Sequence, residues 1–202
     1  MDFTKISAAL KKRGYDVSCF ETSAEAAAYL NAHIDGVTVG FGDSMTLDSI
    51  GIYELLSTHN DVYDPAHPRS GMDFYSTAPL CLTTDIFLTS VNGIAETGEM
   101  VNIDGTGNRL AGTLDVREAV YFVAGVNKVA EDYDKALWRA RNIAAPLNAR
   151  RLERKTPCVK GELRCHDCKS PERICRGLTV LWEKMSGVQT CEVILVGEAL
   201  GY

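Results

Sequence analysis

The chain contains no run of about 18 apolar residues, so it offers no candidate membrane-spanning helix. Its first fourteen residues scatter Asp2, Lys5, Lys11, Lys12 and Arg13 among single apolar positions. They lack the continuous apolar core of a secretory leader. Positive charge is in deficit: 21 Lys and Arg face 27 Asp and Glu, a net charge of -6. That balance argues against a general nucleic-acid binder. No internal repeat or low-complexity stretch is present. These absences place the protein in a reducing cytoplasm. There, clustered cysteines are better read as metal ligands than as disulfides. The 202 residues, 46% of them hydrophobic, fit one domain spanning 1–202 with a real core. Composition leaves an oligomer open.

The pattern alternates helices and strands. Phe3, Ile6 and Leu10 predict an amphipathic helix over 3–13, ended at Gly14. Residues 15–20 read as a strand. Thr22 and Glu25 form a capping box for an Ala-rich helix running to His33. Residues 37–40 read as a buried strand and 46–56 as the helix after it. Asp61 to Asp64 reads as a short strand, followed by a loop to Gly71. Residues 86–91 and 119–126 are the clearest buried strands. Residues 94–101 form extended pieces joined through Gly98. A helix is expected over 131–145, stopped by Pro146. Residues 178–183 and 193–197 close the chain as strands. The fold class is therefore α/β: an open, mainly parallel sheet with helices on both faces. A small Cys-rich segment at 150–176 is inserted near its end.

Chemistry concentrates at the strand ends. Gly40-Phe41-Gly42-Asp43-Ser44-Met45-Thr46 lies at a strand-to-helix turn. Its glycines permit close backbone approach, and Ser44 and Thr46 offer hydroxyls to a carboxylate or phosphate. It is neither a Walker loop nor a full G-x-G-x-x-G motif, and an ordinary βα turn capped by Asp43 explains it equally. Glu96, beside Gly98, is a candidate general base or carboxylate nucleophile; the alternative is a solvated turn residue. Asn108 and Arg109 sit in a glycine-rich turn where an Arg fork can grip a carboxylate. Lys128 follows the strand at 119–126, and in a parallel sheet it emerges at the same rim as the glycine loop. Structural pairing and solvation are the alternatives for these two cations.

The sharpest pattern is Cys158-x6-Cys165-x2-Cys168-x6-Cys175. Four thiols at this spacing predict a site for Zn or an iron–sulfur cluster. His166 is a spare ligand. Residues 150–176 carry nine Lys or Arg against four Asp or Glu, a local balance of +5. That excess is expected to offset the charge of four thiolates. Reduced thiols in an ordered tail are the alternative. Cys19, Cys81 and Cys191 read as core residues.

Taken together, these segments resemble the LUD-domain family, lactate-utilisation proteins once grouped as a domain of unknown function. The resemblance is carried by Gly40 to Leu47, Ala95-Glu96-Thr97-Gly98, Asn108-Arg109 and Gly125-Val126-Asn127-Lys128. It continues through Ala144-Ala145-Pro146-Leu147-Asn148, the four cysteines and Val196 to Gly201. It implies a Rossmann-like fold similar to the sugar-isomerase and CoA-transferase superfamily. It also implies a part in oxidation of L-lactate or a related organic acid, beside an iron–sulfur oxidoreductase partner. By the same resemblance, Glu96-Thr97-Gly98 is similar to the glutamate that forms the acyl adduct in CoA transferases. Three functions follow as expectations. One is a component of organic-acid oxidation that binds a small anionic ligand. Another is a CoA-transferase- or sugar-phosphate-isomerase-like enzyme using Glu96 with Lys128. The third is a non-enzymatic scaffold docking an oxidoreductase.

Overall fold

The computed structural model describes residues 2–114 and 118–202. Its centre is a six-stranded sheet in the order β1-β10-β7-β4-β2-β3, every pairing parallel. The strands are β1 (Asp16–Phe20), β2 (Thr38–Phe41), β3 (Asp61–Tyr63), β4 (Ile86–Ser90), β7 (Ala119–Gly125) and β10 (Thr190–Val196). β4 and β7 are buried along their whole length. Such strands need apolar side chains on both faces, which is why they read as continuous apolar runs.

Each face of the sheet carries its own core. On one, Ala26, Leu30, Leu47, Ile52 and Leu56 pack on Leu88, Tyr121, Val123 and Ile194. These come from α2 (Ser23–His33), α3 (Met45–Ser49) and α4 (Ile52–Leu56). On the other, Ile6 and Leu10 of α1 (Thr4–Lys12) pack with Phe87, Val120, Phe122 and Val193. Along β7 the residues alternate between the two clusters, as the period of two in a strand requires. Among the described residues no helix is long and apolar enough to cross a membrane.

The expected capping box is present: Thr22 Oγ1 accepts from Glu25 N, and Glu25 reaches back to Thr22 N at 3.0 Å. Other expectations need correction. The helix predicted over 46–56 is two helices, α3 and α4, broken at Gly51, whose φ is +63°. The helix expected to stop at Pro146 continues. α7 (Tyr133–Arg139) passes through a π-helical turn, Ala140–Ala144, into α8 (Ala145–Arg151). Pro146 lies in the first turn of α8, directly after the π-helical turn that re-phases the helix around its missing N–H. The turn at 104–109 opens a helix not predicted, α6 (Asn108–Leu114).

A second sheet was also not foreseen. It runs β8-β5-β6-β9, with β5 (Gly93–Ala95), β6 (Met100–Asp104), β8 (Val129–Ala130) and β9 (Gly177–Leu181). β6 pairs antiparallel with both β5 and β9. α7 and the π-helical turn after it cover it through Ala136 and Ala140. The last short helix, α5 (Phe74–Thr77), is capped reciprocally by Asp73 and Ser76.

Gly40, a candidate ligand contact by sequence, has a packing reason instead. A Cβ at this position would overlap the carbonyl oxygen of Cys81 and sit 2.7 Å from Thr84 Oγ1. Gly40→Ala is therefore expected to destabilise the fold by about 1–3 kcal/mol. An unchanged urea midpoint for this variant would remove the packing explanation.

Candidate functional site

The winding of the large sheet reverses between β2 and β4. The chain leaves β2 outward to β3, then returns to place β4 on the other side of β2. Open α/β sheets bind ligands outside the carboxyl ends of strands at such a reversal. A cleft of about 710 Å³ opens there, lined by Gly42, Ser44, Thr46, Ser90, Asn92 and Lys128 among others.

Gly42 follows β2 directly. Its N–H bonds to Leu88 O at 3.0 Å, and an added Cβ would lie 2.6 Å from Thr89 Oγ1. The loop is thus pressed onto β4. Asp43 then adopts a left-handed backbone, φ +47°. Strained backbone of this kind is concentrated at functional sites. The carboxyl group of Asp43 lines the cleft 4.0 Å from Arg151 Nη2. Burial raises its pKa, partly opposed by the Arg151 charge. Ser44 caps α3 through Leu47 N.

Lys128 is the floor of the site. It follows β7, is only 3% exposed, and donates to Thr46 Oγ1 at 2.6 Å and Ser90 Oγ at 2.9 Å. Ser90 Oγ also contacts Thr46 Oγ1 at 3.2 Å, and Thr46 Oγ1 donates to Leu200 O at 3.3 Å. Burial pushes the pKa of Lys128 well below the ordinary lysine value, helped by the charges of Arg139 and Arg109. Arg139, buried in α7, fixes the turn that carries the lysine. It donates to Asn127 O at 2.7 Å and to Asn92 O. Sequence reasoning missed Arg139. Its signal is a place beside Ala136 and Ala140 on the buried face of the helix.

Asn108 is buried, lines the cleft, and has an amide nitrogen without an acceptor among the described residues. Arg109 also lines the cleft, but its fork is already engaged. It donates to Asn102 Oδ1 at 3.2 Å, Asn92 Oδ1 at 3.1 Å and the carbonyl of Ile103. Burial lowers its pKa, opposed by Asp104 and Asp43. Asp104 in turn accepts from Arg109 N and Leu110 N, capping α6.

The far wall comes from α8 and the Cys-rich segment. Arg151, Arg154, Arg173 and Arg176 face the cleft. With Arg109 they make five guanidinium groups beside the buried Lys128 amine, against the carboxylates of Asp43, Asp104 and Glu172. Part of the basic excess of 150–176 thus lines this cleft, a destination that charge counting does not reveal.

Glu96 is not part of this cleft. It follows β5 in the second sheet, where its carboxylate pairs with Lys5 Nζ at 2.5 Å. Gly98, at φ +98°, packs on Arg13 of the α1 C-terminus. The expected meeting of Glu96 with the glycine loop and Lys128 does not occur: β5 leaves the large sheet to pair with β8, and Lys128 precedes that ladder while Glu96 lies beyond its other end.

Cys158, Cys165, Cys168 and Cys175 line one small hollow of about 20 Å³, together with His166. Asp167 N approaches Cys165 Sγ at 3.4 Å, and Asp167 has φ +44°. Even so, no group of three or more His, Cys, Asp or Glu among the described residues stands close enough to hold an ion. The donor chemistry suits a metal, but the side chains as placed do not close on one. Arg173 links the two regions. It donates to Cys168 O and Cys175 O at 2.8 Å each while lining the cleft.

The LUD domain family model matches residues 3–196. The fold is similar to that of a DUF162 family protein from Deinococcus radiodurans, with a TM-score of 0.53 and 15% sequence identity. That alignment covers 98% of this chain and 99% of the other. No curated protein matches the chain significantly. The family match runs through both sheets and every strand of the cleft, and the chain belongs to the LUD domain family.

Proposed function

We propose that the cleft binds an anionic organic molecule larger than a three-carbon acid, with Lys128 at the reacting end. The observation that carries this reading is the lining: five arginines and the buried Lys128 amine around a polar cleft of about 710 Å³, in a chain of net charge -6. Pockets of ~300–1,000 Å³ enclose drug-sized ligands, so lactate alone would leave most of the space to water. A phosphorylated or multiply carboxylated compound fits the charge and the volume better. Membership of the LUD family suggests that the molecule belongs to utilisation of lactate or a related organic acid. A cytoplasmic setting fits seven cysteines that are all thiols. An iron–sulfur oxidoreductase partner remains part of this proposal.

The transferase reading that uses Glu96 draws no support from the site. That carboxylate lies outside the cleft and is paired with Lys5.

For the four cysteines we propose a site for Zn or an iron–sulfur cluster, held by Cys158, Cys165, Cys168 and Cys175. Support comes from their shared hollow and from the Asp167 N–H beside a sulfur. When bound, zinc would brace the segment, and a cluster would add electron transfer. Either would steady Arg173, and through it the cleft wall.

Two outcomes are expected. Inorganic pyrophosphate should bind the wild-type protein in calorimetry, and R154E/R176E should weaken that binding at least about tenfold, or about 1.4 kcal/mol. No binding by the wild type at millimolar concentration would sink the anion site. Anaerobically purified protein should carry about one Zn or one cluster per chain. A chelator should lower its melting temperature and weaken pyrophosphate binding. Metal-free protein with all four thiols open to a thiol reagent and unimpaired stability would refute the cysteine site.

A further inference from the structure

Lys128 has no carboxylate partner among the described residues; its nitrogen meets only the hydroxyls of Thr46 and Ser90. The charged groups that act on it are Arg139 of α7 and Arg109 of α6, both cations. An ammonium kept purely for structure would need an anion in so dry a place, since an uncompensated buried charge is costly. The surroundings favour the free amine instead, which carries a lone pair and is nucleophilic. It borders a cleft whose far wall is four arginines.

From this juxtaposition we infer that Lys128 forms an imine with an anionic aldehyde or ketone bound in the cleft. The inference rests on the anion-binding reading given above. The nitrogen lone pair adds to the carbonyl carbon, and the C=O pair moves to oxygen. A proton passes from nitrogen to that oxygen, with the hydroxyls of Ser90 and Thr46 placed to relay it. The carbinolamine then loses water as the C=N bond forms, and hydrolysis reverses the sequence. No oxidant or reductant enters.

The test is reductive trapping on the whole chain near neutral pH. Pyruvate, dihydroxyacetone phosphate and acetone are each incubated with the protein and cyanoborohydride, and the products are mapped by peptide mass spectrometry. At least one of the two anionic carbonyls should label Lys128. Labelling should be at least about tenfold faster than at Lys11 or Lys12, since each unit of pKa depression gives about tenfold more free amine. Acetone should label Lys128 much less. Pyrophosphate should protect it, and Ser90→Ala should slow labelling while leaving the lysine in place. Lys128→Arg should abolish the adduct, but the wild-type peptide map decides the matter even if this variant fails to fold. Labelling spread evenly over surface lysines, or no adduct at Lys128 while pyrophosphate still binds, overturns the imine and leaves the anion site standing. An adduct that acetone forms as readily as the anionic carbonyls, and that pyrophosphate cannot suppress, removes the anion reading and with it the inference as stated. Absence of both pyrophosphate binding and adduct removes the two together.

Discussion

Holding an amine in a dry position with only hydroxyl oxygens for company is the constraint around which the cleft is built. Thr46 comes from the helix after β2, Ser90 from the end of β4, and Lys128 from the turn after β7. Leu200, near the chain's end, closes the set through its carbonyl. These elements are far apart in sequence and meet only because β2, β4 and β7 lie side by side and parallel. Arg139 then ties the Lys128 turn to Asn92, so the amine cannot swing out without breaking buried hydrogen bonds. A buried polar group costs free energy unless matched, and this site concentrates such costs. The left-handed Asp43 and the unsatisfied Asn108 amide sit around the same cavity. Costs of this kind collected in one place are what a preorganised site looks like.

Electrostatics divides the molecule in a way its net charge conceals. The chain is acidic overall, yet the cleft wall is cationic because α8 and the Cys-rich segment turn four arginines inward. Arg173 stands in both regions. Its guanidinium braces the carbonyls of Cys168 and Cys175 and pairs with Asp167 at 3.3 Å. Whatever fixes the sulfurs therefore also fixes part of the cationic wall. The segment has little regular structure and is tied to the body at few points, such as Arg176 N to Asp104 O at 2.8 Å. Bracing at the cysteines makes more difference to such a segment than it would to a helix.

Much of the fold was legible because local signals and packing agree. β4 and β7 are continuous apolar runs, and the α2 cap has both partners within three residues. The unread parts depend on distant partners. β6 pairs with β9 across more than seventy residues, Asp104 against Gly177, and neither strand alone announces that ladder. α6 was hidden because its cap, Asp104, sits four residues before Asn108, outside capping-box spacing. Pro146 misled because a π-helical turn precedes it and re-phases the helix. In the site, the glycine loop, Asn108, Arg109 and Lys128 were visible as unusual residues at strand ends. Which of them remain available for a ligand was not visible. Arg109 turns out to be engaged by Asn92 and Asn102, whereas Asn108 keeps a free donor.

The displacement of Glu96 shows why a motif at a strand end does not by itself define a site. β5 continues from β4 in sequence, but it leaves the parallel sheet and begins the second one at Gly93. A Cβ on Gly93 would sit 3.1 Å from the carbonyl carbon of Ala136, so this glycine lets α7 close onto the small sheet. The same approach brings Arg139 to Asn92 and Asn127 and sets the position of Lys128. It also carries Glu96 away toward Lys5 on α1. One close helix–sheet contact thus gives the cleft its amine and denies it that carboxylate. The floor of the cleft is thus Lys128 with its two hydroxyls, beside Asp43, all set by packed elements. Its arginine wall comes from the end of α8 and the segment after it, where loop backbone tolerates more variation than the sheet does.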